Sequence, residues 1–95
     1  MIRHIIFFTV EEPERVAEVK TGLEALGTIP GSLIFEVSEN LRVDLYDNRI
    51  DLVVYAEFAD EAAFKAFKAH PTYAATTAAV KPLRKDRYSA DILAS

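Results

Sequence analysis

Two histidines, His4 and His70, and one nearby tyrosine, Tyr73, are the residues of this 95-residue chain whose types best suit proton chemistry. An imidazole titrates near pH 6.5, by its ordinary value of about 6.5, and serves as a general base or holds a substrate by hydrogen bonds. A phenol is a weak base at neutral pH but donates a proton to a carbonyl. His4 stands among Ile2, Ile6 and Phe8 on one side of an apolar run. That placement has two readings, a core histidine bonded to a neighbour or the polar end of a pocket. His70 precedes Pro71, and the expected role is structural, capping a break between two helices. Tyr73, one turn further on, is read either as core packing or as a proton donor.

Asp44, Asp47, Asn48 and Asp51 gather in one polar stretch. Oxygen ligands at short spacing suit Mg²⁺ or Ca²⁺, but the spacing is not that of an EF-hand. They are expected to be solvated loop carboxylates, and neither a metal nor a cofactor is expected. No Gly-rich phosphate loop, Gly-x-Ser-x-Gly elbow or readable pair of catalytic carboxylates is present. The absence of cysteine excludes disulfides, thiol nucleophiles and cysteine-ligated zinc or iron–sulfur centres. A formal charge of −4 argues against binding nucleic acid or an anionic membrane, since both require a basic field. No apolar run approaches the ~18–20 residues needed to span a bilayer. The run Ile5–Val10 meets Glu11 and Glu12 directly, unlike a signal peptide. A cytoplasmic protein is expected.

These side chains need a scaffold. Ile2–Val10 is β-branched and aromatic and reads as a strand apolar on both faces, hence central in its sheet. Pro13 suits a first helical turn, and Val16, Val19, Leu23 and Leu26 form one helical face that Gly27 should end. Gly22, inside that helix, costs about 1 kcal/mol against alanine and points to close packing. Leu33–Val37 reads as a second strand and the stretch 40–48 as a connection. Ile50–Phe58 is the third strand, with Ile50, Leu52, Val54, Ala56 and Phe58 on one face. Asp60 is a good N-cap for a helix carrying Ala63, Phe64 and Phe67, which His70-Pro71 interrupts. A second helix restarts at Pro71, Pro82 stops it, and Arg84–Leu93 is a strand with Tyr88, Ala90 and Ile92 on one face.

The order β-α-β-β-α-β, within one domain covering residues 1–95, builds an α+β fold: an antiparallel sheet with helices on one face. The open face then carries Ile5, Phe7, Val53 and Tyr55. Exposing such side chains forfeits roughly 1.5–3 kcal/mol each, so a homodimer packed sheet to sheet is expected. The RNA-recognition fold shares this order, but Arg49–Ala56 lacks the glycine and leading aromatic of its strand-three signature.

Several stretches carry a family likeness: Ile2-Arg3-His4-Ile5-Ile6-Phe7-Phe8, Ile29-Pro30-Gly31, Ile50-Asp51-Leu52-Val53-Val54 with Glu57-Phe58, Ala69-His70-Pro71, Val80-Lys81-Pro82-Leu83 and Asp91. In that order the chain resembles the stress-responsive α/β-barrel, or Dabb, family. The resemblance implies a ferredoxin-like fold that dimerises into an α/β barrel. Some plant members of the family are polyketide cyclases. They have histidines in strand one, in strand three and at the end of a His-Pro-x-His motif, and a tyrosine three residues before that motif. Here the first of these is His4, while Leu52, Tyr73 and Phe67 occupy the others, so that set is not carried over whole. The expected function is binding of a small apolar or aromatic metabolite. His4 and Tyr73 would form the polar end of the site, and Phe8, Leu52, Phe64 and Phe67 its wall. The alternative is a cofactor-free cyclase, isomerase or monooxygenase using His4 and Tyr73.

Overall fold

In a computed structural model that describes residues 1–95, the apolar run at the start of the chain forms strand β1, Ile2–Val10. A 3₁₀ turn at Pro13–Arg15 leads into helix α1, Val16–Glu24, and a second 3₁₀ turn at Ala25–Thr28 follows it. Strands β2, Ser32–Glu39, and β3, Leu52–Phe58, come next. Helices α2, Glu61–Ala69, and α3, Pro71–Val80, precede strand β4, Arg84–Leu93. The sheet order is β2-β3-β1-β4 with every pairing antiparallel. This is the expected α+β, ferredoxin-like arrangement, with the doubly apolar β1 in the interior of the sheet.

The inward residues of β1 and β3, Ile2, Ile6, Phe8, Leu52, Val54, Ala56 and Phe58, are buried with Val19, Leu23, Phe64, Phe67 and Val80 from the helices. Burying apolar surface on this side is what holds the helices on the sheet. The break between α2 and α3 has a local cause. Proline pushes His70 to φ −66°, ψ 140°, and its Nδ1 then accepts the Thr72 N–H at 3.1 Å. Asp60 caps α2 in the same way, accepting the Ala63 N–H at 2.8 Å.

Three local expectations are corrected. Gly27 does not end the first helix: the backbone runs on through it as a 3₁₀ turn. It is small because Phe35 lies over it, where a Cβ would stand 3.1 Å from the ring. β3 starts at Leu52 rather than Ile50. Asp51 is not a solvated loop carboxylate. Its Oδ2 accepts the Val10 N–H at 2.8 Å and its Oδ1 meets Arg42 at 2.5 Å, so it ties the 40–51 segment to the end of β1.

Candidate functional site

His4 and Asp91 are partners in the β1–β4 register, and both face the helices. His4 Nδ1 and Asp91 Oδ1 lie 2.5 Å apart, and against a carboxylate, which only accepts, the imidazole is the donor. The two ends of this pair differ. The His4 side chain is 4% exposed and Asp91 44%. The imidazole is walled by Phe64, with ring centroids 4.7 Å apart, and by Phe58 at 6.5 Å. The carboxylate stands at the sheet edge because β4 is an outer strand.

Asp91 opens into a cleft of about 310 Å³ between α2 and the end of β4. Ile2, Phe64, Ile92 and Leu93 are its apolar walls; Glu61, Lys65 and Lys68 stand on the helix side. Lys68 Nζ lies 4.3 Å from the centre of the Phe64 ring, a cation–π arrangement.

The residues expected to form a site fall into three places. His4, Phe8, Phe67 and Tyr73 line one inner cavity between sheet and helices, together with Arg84 and Arg87. That cavity is about 20 Å³, room for about one water and not for an aromatic compound. Tyr73 packs edge-on against Phe67, with centroids 5.7 Å apart. Phe64 lies on the far side of His4 and lines the larger cleft. Leu52 is fully buried in the core and lines neither space. His4 is therefore the link between the two spaces, touching the small cavity directly and the larger cleft through Asp91.

Asp91, Lys65 and Lys68 were not singled out from the sequence as site residues. The signal for Asp91 was present. If Tyr88, Ala90 and Ile92 face outward, Asp91 faces the helices, and an inward acid on a strand calls for a partner.

On the open side of the sheet, Phe7, Ile34, Tyr88 and Ile92 are exposed and Ile5, Val53 and Tyr55 half-buried. Tyr55 donates to Glu57 at 2.5 Å, which holds its phenol above the ordinary value. Arg3 Nε, on the same face, is shielded from solvent without a partner.

The fold places the chain in the class of ferredoxin-like α+β proteins. The chain belongs to the Dabb family, the stress-responsive A/B barrel domain, which matches residues 2–94. A dimeric ferredoxin-like protein of unknown function from Thermobifida fusca YX is similar, at 28% identity and TM-score 0.79, over 96% of this chain and 88% of that one. A Dabb family protein with a ferredoxin-like fold from Mesorhizobium loti MAFF303099 is 24% identical, TM-score 0.81, over 99% and 96% of the two chains. An antibiotic biosynthesis monooxygenase shares the fold at 19% identity, TM-score 0.75, over 100% and 99%. No curated protein matches the sequence. No helix is long and apolar enough to cross a membrane.

Proposed function

We infer that this protein is a homodimeric domain that binds a small apolar or aromatic metabolite in the cleft between α2 and β4. The observation that carries this reading is the His4–Asp91 pair at the edge of a cleft of about 310 Å³ with apolar walls. A small-molecule site is mostly apolar with a few convergent polar groups, and the half-exposed carboxylate is such a group. The inner cavity beside Tyr73 would hold the water that serves the other side of His4. The test is a ligand titration followed by amide and methyl NMR, with 2-naphthol and indole as probes. Shifts should centre on Ile2, Phe64, Ile92 and Leu93. Shifts centred on Tyr73 and Val80, or none at all, would overturn the reading.

Dimerisation through the open sheet face has its own support. The face is apolar, it holds the unpartnered Arg3 Nε, and the Thermobifida relative is described as dimeric. The 40–51 segment extends from the same sheet. It is braced at its base by Arg42, which takes φ 56° and bonds Asp51 and the Asn48 carbonyl. Beyond the brace, Leu41, Val43, Leu45 and Tyr46 are each more than 80% exposed, at 83–94%. A braced segment presenting that much apolar surface suits a clasp over the second copy.

The second reading, a cofactor-free enzyme, is favoured by one observation: a buried imidazole bonded to a carboxylate that reaches ligand-sized space.

A further inference from the structure

We propose that the cleft takes a compact carboxylic acid with an apolar body and an acidic C–H beside a carbonyl, and that Asp91 is the base that removes that proton. The proposal rests on the cleft being the ligand site and adds the ligand's charge and the reacting group.

The exposure of the pair decides the assignment of roles. His4 is too deep to touch a molecule in the cleft, whereas Asp91 is nearly half exposed there. Asp91 uses Oδ1 on His4 and leaves Oδ2 without a partner in the chain. His4 is thus a positioning residue: its N–H holds the half-exposed carboxylate by one oxygen and leaves the other free. Its ring is itself fixed between Phe58 and Phe64.

Charge on the opposite wall points to an acid. Lys65 and Lys68 line the cleft from α2, and neither makes an ion pair within the chain. Glu61 stands one turn before Lys65 and does not close on it. Lys65 is free to meet a carboxylate, and Lys68, seated over the Phe64 ring, adds a second positive charge to the cleft that Asp91 also lines. The apolar body would lie against Ile2, Phe64 and Leu93.

The step balances without a further reactant. The C–H bond beside the carbonyl breaks, its proton forms an O–H bond with Asp91 Oδ2, and the electron pair becomes the C=C bond of an enolate. The negative charge moves to the carbonyl oxygen, beside the lysines. Return of the proton to that oxygen yields the enol, and return to carbon restores the ketone. The net reaction is a tautomerisation.

Phenylpyruvate is a suitable probe, with an aryl body, a carboxylate and an exchangeable methylene. Exchange of its methylene protons in D₂O, read by ¹H NMR on the intact chain, should exceed the buffer rate. Asp91→Asn, which keeps the shape of an exposed side chain, should lower the catalysed rate by roughly a hundredfold or more. His4→Asn should lower kcat with KM unchanged. Lys65→Ala with Lys68→Ala should raise KM about fivefold and lower kcat as well, since the developing charge lies on their side. Circular dichroism establishes that each variant is folded. Phenylpyruvate that shifts the cleft resonances but exchanges no faster than in buffer overturns the proposal and leaves the binding reading standing. Full exchange in Asp91→Asn, or an unchanged KM in the double lysine variant, also overturns it. If neither phenylpyruvate nor neutral 2-naphthol shifts those resonances, the binding reading falls and the proposal falls with it.

Discussion

Gly22 of α1 faces Val80 of α3 so closely that a Cβ built on the glycine would stand 3.3 Å from Val80 Cγ2. Val80 is itself buried in the core, so it has little room to retreat. The glycine therefore sets how near the two helices lie, at a cost in helix propensity of about 1 kcal/mol.

Gly22→Ala should leave stability within about 1 kcal/mol of the parent, because propensity gained is offset by the crowding. In a Val80→Ala background the crowding is gone. There the same substitution should stabilise by about 1 kcal/mol. Urea unfolding of the four proteins in this cycle checks the coupling, and equal effects in both backgrounds would remove it.

Val53→Glu should weaken the homodimer. Val53 lies half-buried on the open face, opposite Phe7 in the β1–β3 register. A symmetric interface presents the patch twice, so one substitution places two carboxylates in it. Sedimentation at micromolar concentration should show the parent as a dimer and the variant shifted toward the 10.6 kDa monomer. A parent that sediments as a monomer would sink the interface.

His70→Ala should remove the acceptor for the Thr72 N–H. Loss of such a cap costs about 1 kcal/mol, which in a domain of this size lowers Tm by roughly 4–8 °C. His70→Asn, whose side chain also caps, should recover most of it. Ligand binding in the cleft should be unchanged in both, because His70 does not line it. Loss of binding at unchanged Tm would contradict the structural role.

Tyr55 should ionise above the ordinary phenol range because its O–H donates to Glu57. The neutral phenol is the form the folded state favours. A group with a raised folded pKa contributes stability in full below its unfolded value of about 10 and loses it as pH rises through the folded value. Ultraviolet titration should therefore show one tyrosine lagging, and Glu57→Gln should bring it back. Identical curves for the two proteins would refute the contact.

Asp51→Asn should loosen the base of the 40–51 segment while leaving the sheet intact. The amide still offers an oxygen to the Val10 N–H but no longer carries the charge that meets Arg42. Amide exchange should quicken from Asn40 to Ile50 with β1 protection retained. Unchanged exchange would show that the ion pair braces nothing.

Alternation, helical spacing and the two prolines determined most of the architecture. Ile2–Val10 is apolar on both sides, and a strand of that kind belongs inside a sheet. Val16, Val19, Leu23 and Leu26 share one face at helical spacing, and Pro71 excludes a continuous helix through His70. These are local signals, because each depends on neighbours within a turn or a pleat. Alternation in the last strand sets Tyr88, Ala90 and Ile92 on one face and Asp91 on the other, but which face meets the helices is decided by the fold. The partner of Asp91 was not legible, since strand pairing joins residues 87 apart and periodicity carries no register between distant strands. Gly27 shows the same limit: its composition suits a helix end, and only packing places Phe35 over it. The site turned on volume. The sequence placed His4, Phe8, Phe67 and Tyr73 on facing surfaces, but whether space remains between them depends on how side chains interdigitate. They close to about 20 Å³ around Tyr73, because the core interior is filled from both layers, while the space of about 310 Å³ opens beside Asp91, where the end of the edge strand β4 meets α2.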